Sequence, residues 1–174
     1  HTIAQQPRFE AQLSDTAGNP IPCTFYQVTA GSGIPGFQAC GQIRSKDWTT
    51  IGANVSAYLG QQIILDVATG DCSLSGHFGY AYVVADCASL YIESRYCENS
   101  LSQTVELEAP EGFANYEWTD STGAVVGNGQ IISLNTTNQQ IITCAITSVN
   151  GCTATLSTEI LPSNVVAQYT MDSV

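Results

Sequence analysis

Ile142-Thr143-Cys144-Ala145-Ile146-Thr147-Ser148-Val149-Asn150-Gly151-Cys152-Thr153-Ala154-Thr155-Leu156 decides the fold class. Ile142, Cys144 and Ile146 alternate with smaller or polar residues, so they share one face of an extended strand. Asn150-Gly151 is the strongest short hairpin signal in the chain, because both residues tolerate the positive φ a tight turn demands. Cys152, Ala154 and Leu156 then alternate again. A helix would need apolar residues at i, i+3, i+4 and i+7, and no such stripe is sustained anywhere.

The same grammar extends towards the N-terminus. Val105, Leu107 and Ala109 alternate with Thr104, Glu106 and Glu108, while Tyr116 and Trp118 share a face within 115–119, ahead of a turn-rich loop at 121–129. A single tryptophan on an early strand beneath a hairpin ending in cysteine suits a small immunoglobulin-like domain. Residues 88–99 read as a hinge. Before it, Arg8-Phe9-Glu10-Ala11-Gln12-Leu13 and Cys23-Thr24-Phe25-Tyr26-Gln27-Val28 flank turn formers and predict a hairpin. Ile63, Leu65 and Val67 share one face of a later strand, and Phe78, Tyr80, Tyr82 and Val84 one face of another spanning 78–86. Many short strands between turns predict a sandwich or jelly roll.

The chain has 174 residues, enough for one large or two small domains, and 44% of them are hydrophobic, so a packed core is feasible. Four Lys+Arg against fifteen Asp+Glu give a net charge of −11. That balance excludes a partner held through its phosphates, so no nucleic acid is expected, and no polybasic contact with an anionic membrane. No apolar run approaches the ~18 residues that span a bilayer, and direct membrane insertion is not expected. The chain reads as a piece of an exported protein.

Of the seven cysteines none lies in a C-x-x-C pair, and His1 and His77 are the only histidines, which argues against zinc. Disulfides in an oxidising compartment are the expectation, with one thiol left over. A strand over 78–86 would be roughly 30 Å long, so it would hold Cys72 and Cys87 too far apart to bond. That leaves Cys23–Cys72 with Cys40–Cys87, the pairing favoured here, or Cys23–Cys40 with two thiols unpaired. In the second half Cys97 could reach Cys152, while Cys144, facing inward beside isoleucines, reads as a buried inert thiol.

Five segments occur in fixed order over 6–90: Ile21-Pro22-Cys23; Ile34-Pro35-Gly36-Phe37; Asp47-Trp48-Thr49-Thr50-Ile51-Gly52; Ser56-Ala57-Tyr58-Leu59-Gly60-Gln61; and Gly70-Asp71-Cys72 through Gly76-His77-Phe78-Gly79-Tyr80-Ala81-Tyr82. Together they resemble a domain repeated in very large cell-surface adhesins of Bacteroidota, including SprB-type gliding adhesins. Leu107-Glu108-Ala109-Pro110-Glu111-Gly112-Phe113, Tyr116-Glu117-Trp118 and Asn150-Gly151-Cys152 resemble the PKD-like repeats that accompany it. Asn164-Val165-Val166-Ala167-Gln168-Tyr169 looks like the opening strand of a following repeat. The expected fold is therefore all-β, two tandem β-sandwich domains, jelly-roll-like over 1–90 and PKD/immunoglobulin-like over 91–162, with a tail at 163–174. The resemblance implies type IX secretion, display at the cell surface, and attachment and gliding without catalysis. It also implies as partners neighbouring repeats of the same chain and a surface polysaccharide or other extracellular target. One departure is that Val83-Val84-Ala85-Asp86 shifts the carboxylate that follows Tyr-Val in many such domains. Asp15-Thr16-Ala17 and Asp120-Ser121-Thr122 resemble the O-glycosylation signal of this phylum.

Candidate chemistry is sparse. Gly31-Ser32-Gly33-Ile34-Pro35-Gly36 lacks the Gly-Lys-Ser/Thr ending of a phosphate loop and reads as a turn. His77 has no second histidine nearby to complete a transition-metal site. Calcium suits hard oxygen ligands, and Glu10, Asp66, Asp71 and Asp86 are its candidate ligands, as a structural ion. Trp48, Tyr58, Tyr80 and Tyr82 offer rings to stack on pyranose faces. Tyr80 and Tyr82 keep step with Phe78 and Val84, the pattern of core packing, so Trp48 and Tyr58 are the expected ligand contacts. A carbohydrate-binding module of a secreted polysaccharide-degrading enzyme is the competing reading. No Gly-x-Ser-x-Gly or His-Glu-x-x-His motif is present, and no catalytic residues are assigned.

Overall fold

The computed structural model describes residues 5–31, 36–72, 76–96, 104–135 and 137–161. It is all-β, built of antiparallel sheets, and divides into two units. The first is His1–Ala88 with Val149–Cys152, and the second is Ser89–Ser148 with Thr153–Val174. The tail at 163–174 lies outside the described residues.

In the first unit β1 (Arg8–Asp15) lies between β2 (Tyr26–Thr29) and β5 (Ile63–Gly70), and β3 (Phe37–Cys40) pairs with β4 (Ile43–Lys46) as a separate hairpin. The expected first hairpin is present. Its tip is set by Asp15, whose Oδ1 accepts from the N–H groups of Ala17 (2.9 Å) and Asn19 (2.8 Å), with Gly18 at φ +83°. Glycine takes that conformation without a Cβ clash. The second unit uses the same device in Asp120-Ser121-Thr122-Gly123-Ala124. There Asp120 Oδ1 accepts from Thr122 and Ala124 N–H at 2.8 and 3.0 Å, and Gly123 also has φ +83°.

The second unit contains β6 (Glu93–Tyr96), β7 (Thr104–Glu108), β8 (Asn115–Thr119), β9 (Val125–Asn128), β10 (Ile131–Asn135), β11 (Gln140–Thr147) and β12 (Thr153–Ile160). They form two sheets, ordered β10-β7-β6 and β12-β11-β8-β9. Part of the expected hinge is therefore strand, because Ser94 and Tyr96 pair with Leu107 and Val105 while Ile92 is buried in the core. Both sheets contribute to that core: Val105, Leu107 and Ile132 from one, Trp118, Ile142, Cys144 and Ile146 from the other. Each large apolar side chain so enclosed contributes about 1.5–3 kcal/mol relative to exposure. Trp118 stands opposite Cys144 in the ladder and donates its indole N–H to the Gly129 carbonyl at 2.8 Å. Gly127 has no alternative, since a Cβ there would sit 2.7 Å from Ile132 Cγ2.

Two expectations are corrected. The Asn150-Gly151 connection is wider than a two-residue hairpin, because the last ladder pair is Thr147 with Thr153. Two residues of that connection are bound elsewhere: Asn150 Nδ2 donates to the Phe25 carbonyl at 2.6 Å, and Cys152 is disulfide-bonded. The aromatic run at 78–86 is not a strand; it follows β5 without pairing to any strand among the described residues.

Candidate functional site

Among the described residues of the first unit, that aromatic run exposes several large apolar side chains in succession. The chain leaves β5, and at 72–77 the Cys72 N–H donates to the His77 carbonyl at 3.2 Å. Gly79 N–H then reaches Asp71 Oδ1 at 3.4 Å. Phe78, Tyr80 and Tyr82 are 78%, 74% and 78% exposed, so they are not the core residues their alternation predicts. The rings of Tyr80 and Tyr82 meet edge to face with centroids 5.9 Å apart, which places both on one side of the chain. Trp48, beyond β4, is 74% exposed. Tyr58 closes a single 3-10 turn and is half-buried, so of the two expected ligand residues Trp48 offers the open ring. Such rings provide flat apolar faces, and the tyrosines add hydroxyls that donate and accept.

The β1–β5 register turns Glu10, Gln12 and Ser14 to one face, opposite Ala68, Asp66 and Ile64. Glu10 accepts from Gln27 Nε2 at 2.6 Å and Arg8 Nε at 2.8 Å, and these bonds, Gln27's first, hold its carboxyl below the ordinary range. Ser14 Oγ donates to Asp66 Oδ2 at 3.1 Å. Glu10 and Asp66 also line a shallow cleft of about 360 Å³ with Gln12 and Phe25. Two of the four expected calcium ligands thus come together. The others are occupied locally: Asp71 by the Gly79 amide and Asp86 by the Cys87 amide at 2.7 Å. Among the described residues no group of three or more His, Cys, Asp and Glu side chains converges.

The disulfide differs from every expected pairing. Cys23 is bonded to Cys152, with Cα atoms 6.0 Å apart and 129 residues between them in sequence. This replaces both Cys23–Cys72 and Cys97–Cys152; Cys97 itself lies outside the described residues. Cys72 is buried, whereas Cys40 and Cys87 are exposed thiols, not a bonded pair. The expectation confined each bond to one half of the sequence, but Val149–Cys152 belongs to the first unit. Cys144 is a fully buried thiol whose pKa burial pushes up to about 11, so it stays protonated and unreactive at neutral pH.

Compared with known proteins, the sequence matches no family model, no curated protein and no solved structure. Among the described residues no helix is long and apolar enough to cross a membrane. Sequence reasoning missed that Phe78, Tyr80 and Tyr82 are the exposed rings. Alternation named their common side but carried no information on what lies over it.

Proposed function

We propose that the chain is a non-catalytic repeat fragment of a secreted cell-surface adhesin, acting in surface attachment and gliding motility and holding its target through exposed aromatic rings. The observation that carries this reading is the set Trp48, Phe78, Tyr80 and Tyr82, each about three-quarters exposed. Folded proteins rarely leave so many large rings in water unless a partner covers them. The five ordered segments over 6–90 support the adhesin family, and a disulfide supports an oxidising, extracellular setting. In this reading the first unit is jelly-roll-like and the second PKD/immunoglobulin-like, a view favoured by two sheets closing over Trp118. The target is a surface polysaccharide, whose pyranose faces stack on such rings.

The same rings favour a second reading, a carbohydrate-binding module of a secreted polysaccharide-degrading enzyme. Sequence flanking the chain in its parent separates the two: further modules of this kind indicate the adhesin, a hydrolase domain the enzyme. A polysaccharide array probed with the whole chain tests the shared claim. Selective binding should weaken roughly tenfold in Tyr80→Ala/Tyr82→Ala, as loss of about 1.4 kcal/mol of stacking implies. Undiminished binding by that variant would remove the rings from the contact.

A further inference from the structure

The chain carries four basic side chains, Arg8, Arg44, Lys46 and Arg95. Two of them are neutralised by neighbours. Arg8 pairs with Glu10 at 2.8 Å, and Arg95 with Glu93 and Glu108 at 3.1 and 2.7 Å. Arg44 and Lys46 make no ion pair and no side-chain hydrogen bond among the described residues. With fifteen carboxylates in the sequence, that freedom is not for want of partners.

The β3–β4 ladder gathers both free cations on one face. Lys46 stands opposite Phe37 and Arg44 opposite Ala39, while Gln38, Cys40, Ile43 and Ser45 turn to the other side. The phase continues past the strand. Asp47 falls on that second side, where its Oδ2 accepts from Gln38 Nε2 at 2.9 Å. One residue further, the same phase returns Trp48 to the side of Lys46 and Arg44, with its ring 74% exposed. Lys46 Nζ lies 3.1 Å from where a Cβ on Gly36 would stand, so the glycine leaves room for the ammonium.

We propose that this face binds a uronate-bearing polysaccharide, with Trp48 stacked on a sugar ring while Arg44 and Lys46 meet the carboxylates of neighbouring sugars. The inference rests on the reading that exposed rings hold a polysaccharide, and it adds the charge of that target. Arg44 supplies a planar fork that takes both oxygens of a carboxylate, and Lys46 a mobile point charge. Alternate residues of a strand stand roughly 6–7 Å apart, a spacing that suits one anionic group on each sugar. Duplex DNA carries a charge every ~1.7 Å and needs many more cations than two. The net charge of −11 acts weakly here, because its field is screened over about 8 Å at physiological ionic strength and Asp47 is held on the opposite side.

Polygalacturonate and its methyl ester test the proposal, because they share a backbone and differ in free carboxylates. At low salt the whole chain should bind polygalacturonate roughly tenfold more tightly than the ester, about what two exposed ion pairs contribute together. The two affinities should converge at about 1 M salt, where charges are screened within about 3 Å. That salt response of the unaltered chain probes the charges without any substitution. Arg44→Gln/Lys46→Gln should bring polygalacturonate binding down to that of the ester and abolish its salt dependence, whereas Trp48→Ala should weaken binding to both polymers. Equal binding of the two polymers, a double variant that keeps the preference, or binding confined to neutral polysaccharides overturns the anionic assignment and leaves the polysaccharide reading standing. Tighter binding to a sulfated galactan than to polygalacturonate overturns the carboxylate as the group recognised. Failure to bind any polysaccharide, charged or neutral, overturns that reading and this inference together.

Discussion

In the second unit, β7 and β11 turn Val105, Leu107, Ile142, Cys144 and Ile146 into a core that two sheets seal completely. In the first, β1 and β5 turn Leu13, Leu65 and Val67 to one face with the same alternation, yet Leu65 and Val67 stay 40% and 45% exposed. Among the described residues there, Pro7, Ile21 and Cys72 are the buried apolar side chains. Period-two patterning therefore specifies which side chains share a face, and the presence of a second sheet decides whether that face becomes a core. The first unit instead carries the disulfide between Cys23 and Cys152. A cross-link can supply stability that a small core cannot.

The tryptophans give this contrast its largest expected effect. Trp118→Ala empties a sealed core and should cost about 3–5 kcal/mol in urea denaturation, whereas Trp48→Ala should stay within about 0.5 kcal/mol. Similar losses at both would erase the distinction between the units. Next in size is Cys152→Ser, which opens a bond closing a very long loop. It should lower stability by about 2–5 kcal/mol, read as a drop in melting temperature, with Cys87→Ser at an exposed thiol as a comparison that leaves the bond intact. If melting is unchanged, the first unit does not depend on its cross-link.

Tyr116→Phe refines the view of the second unit. The hydroxyl donates to the Pro110 carbonyl at 3.0 Å and accepts from Phe113 N–H at 3.2 Å. Its removal should cost about 1 kcal/mol while the ring keeps its place. The smallest effect concerns what the units share. Asp15 and Asp120 are held below the ordinary 3.8, chiefly by the side chains of Asn19 and Thr122 respectively. A carboxyl with a lowered folded-state pKa contributes stability above its unfolded value, and that contribution drains away as pH falls through the folded one. NMR titration should place both midpoints below 3.8; a midpoint at or above it shows that the tip is not hydrogen-bonded in solution.

How much was legible follows the same division. Val105, Leu107, Trp118, Ile142 and Ile146 could be read directly, because each alternates within a strand that meets a facing sheet. The first hairpin was legible from Asp15-Thr16-Ala17-Gly18-Asn19, whose turn chemistry is local. The Cys23–Cys152 bond was not, since its ends meet only through the fold, and sequence spacing leaves connectivity open. Phe78, Tyr80 and Tyr82 misled for a related reason: alternation with high β propensity marks side chains that would share a face, and it does not say whether any strand or sheet meets them. Of the polar candidates, Glu10 and Asp66 converge through strand register, while Asp71 and Asp86 serve neighbouring amides, a choice that only loop geometry makes.

One tryptophan in each unit allows the contrast to be measured in a single experiment. Acrylamide quenching of Trp48→Phe reports Trp118 alone, and its difference from the unaltered chain reports Trp48. We expect Trp118 to emit from an apolar setting and resist quenching until the chain unfolds, while Trp48 is quenched almost as readily as in the denatured state. Equal accessibility of the two indoles in the folded chain would contradict the account.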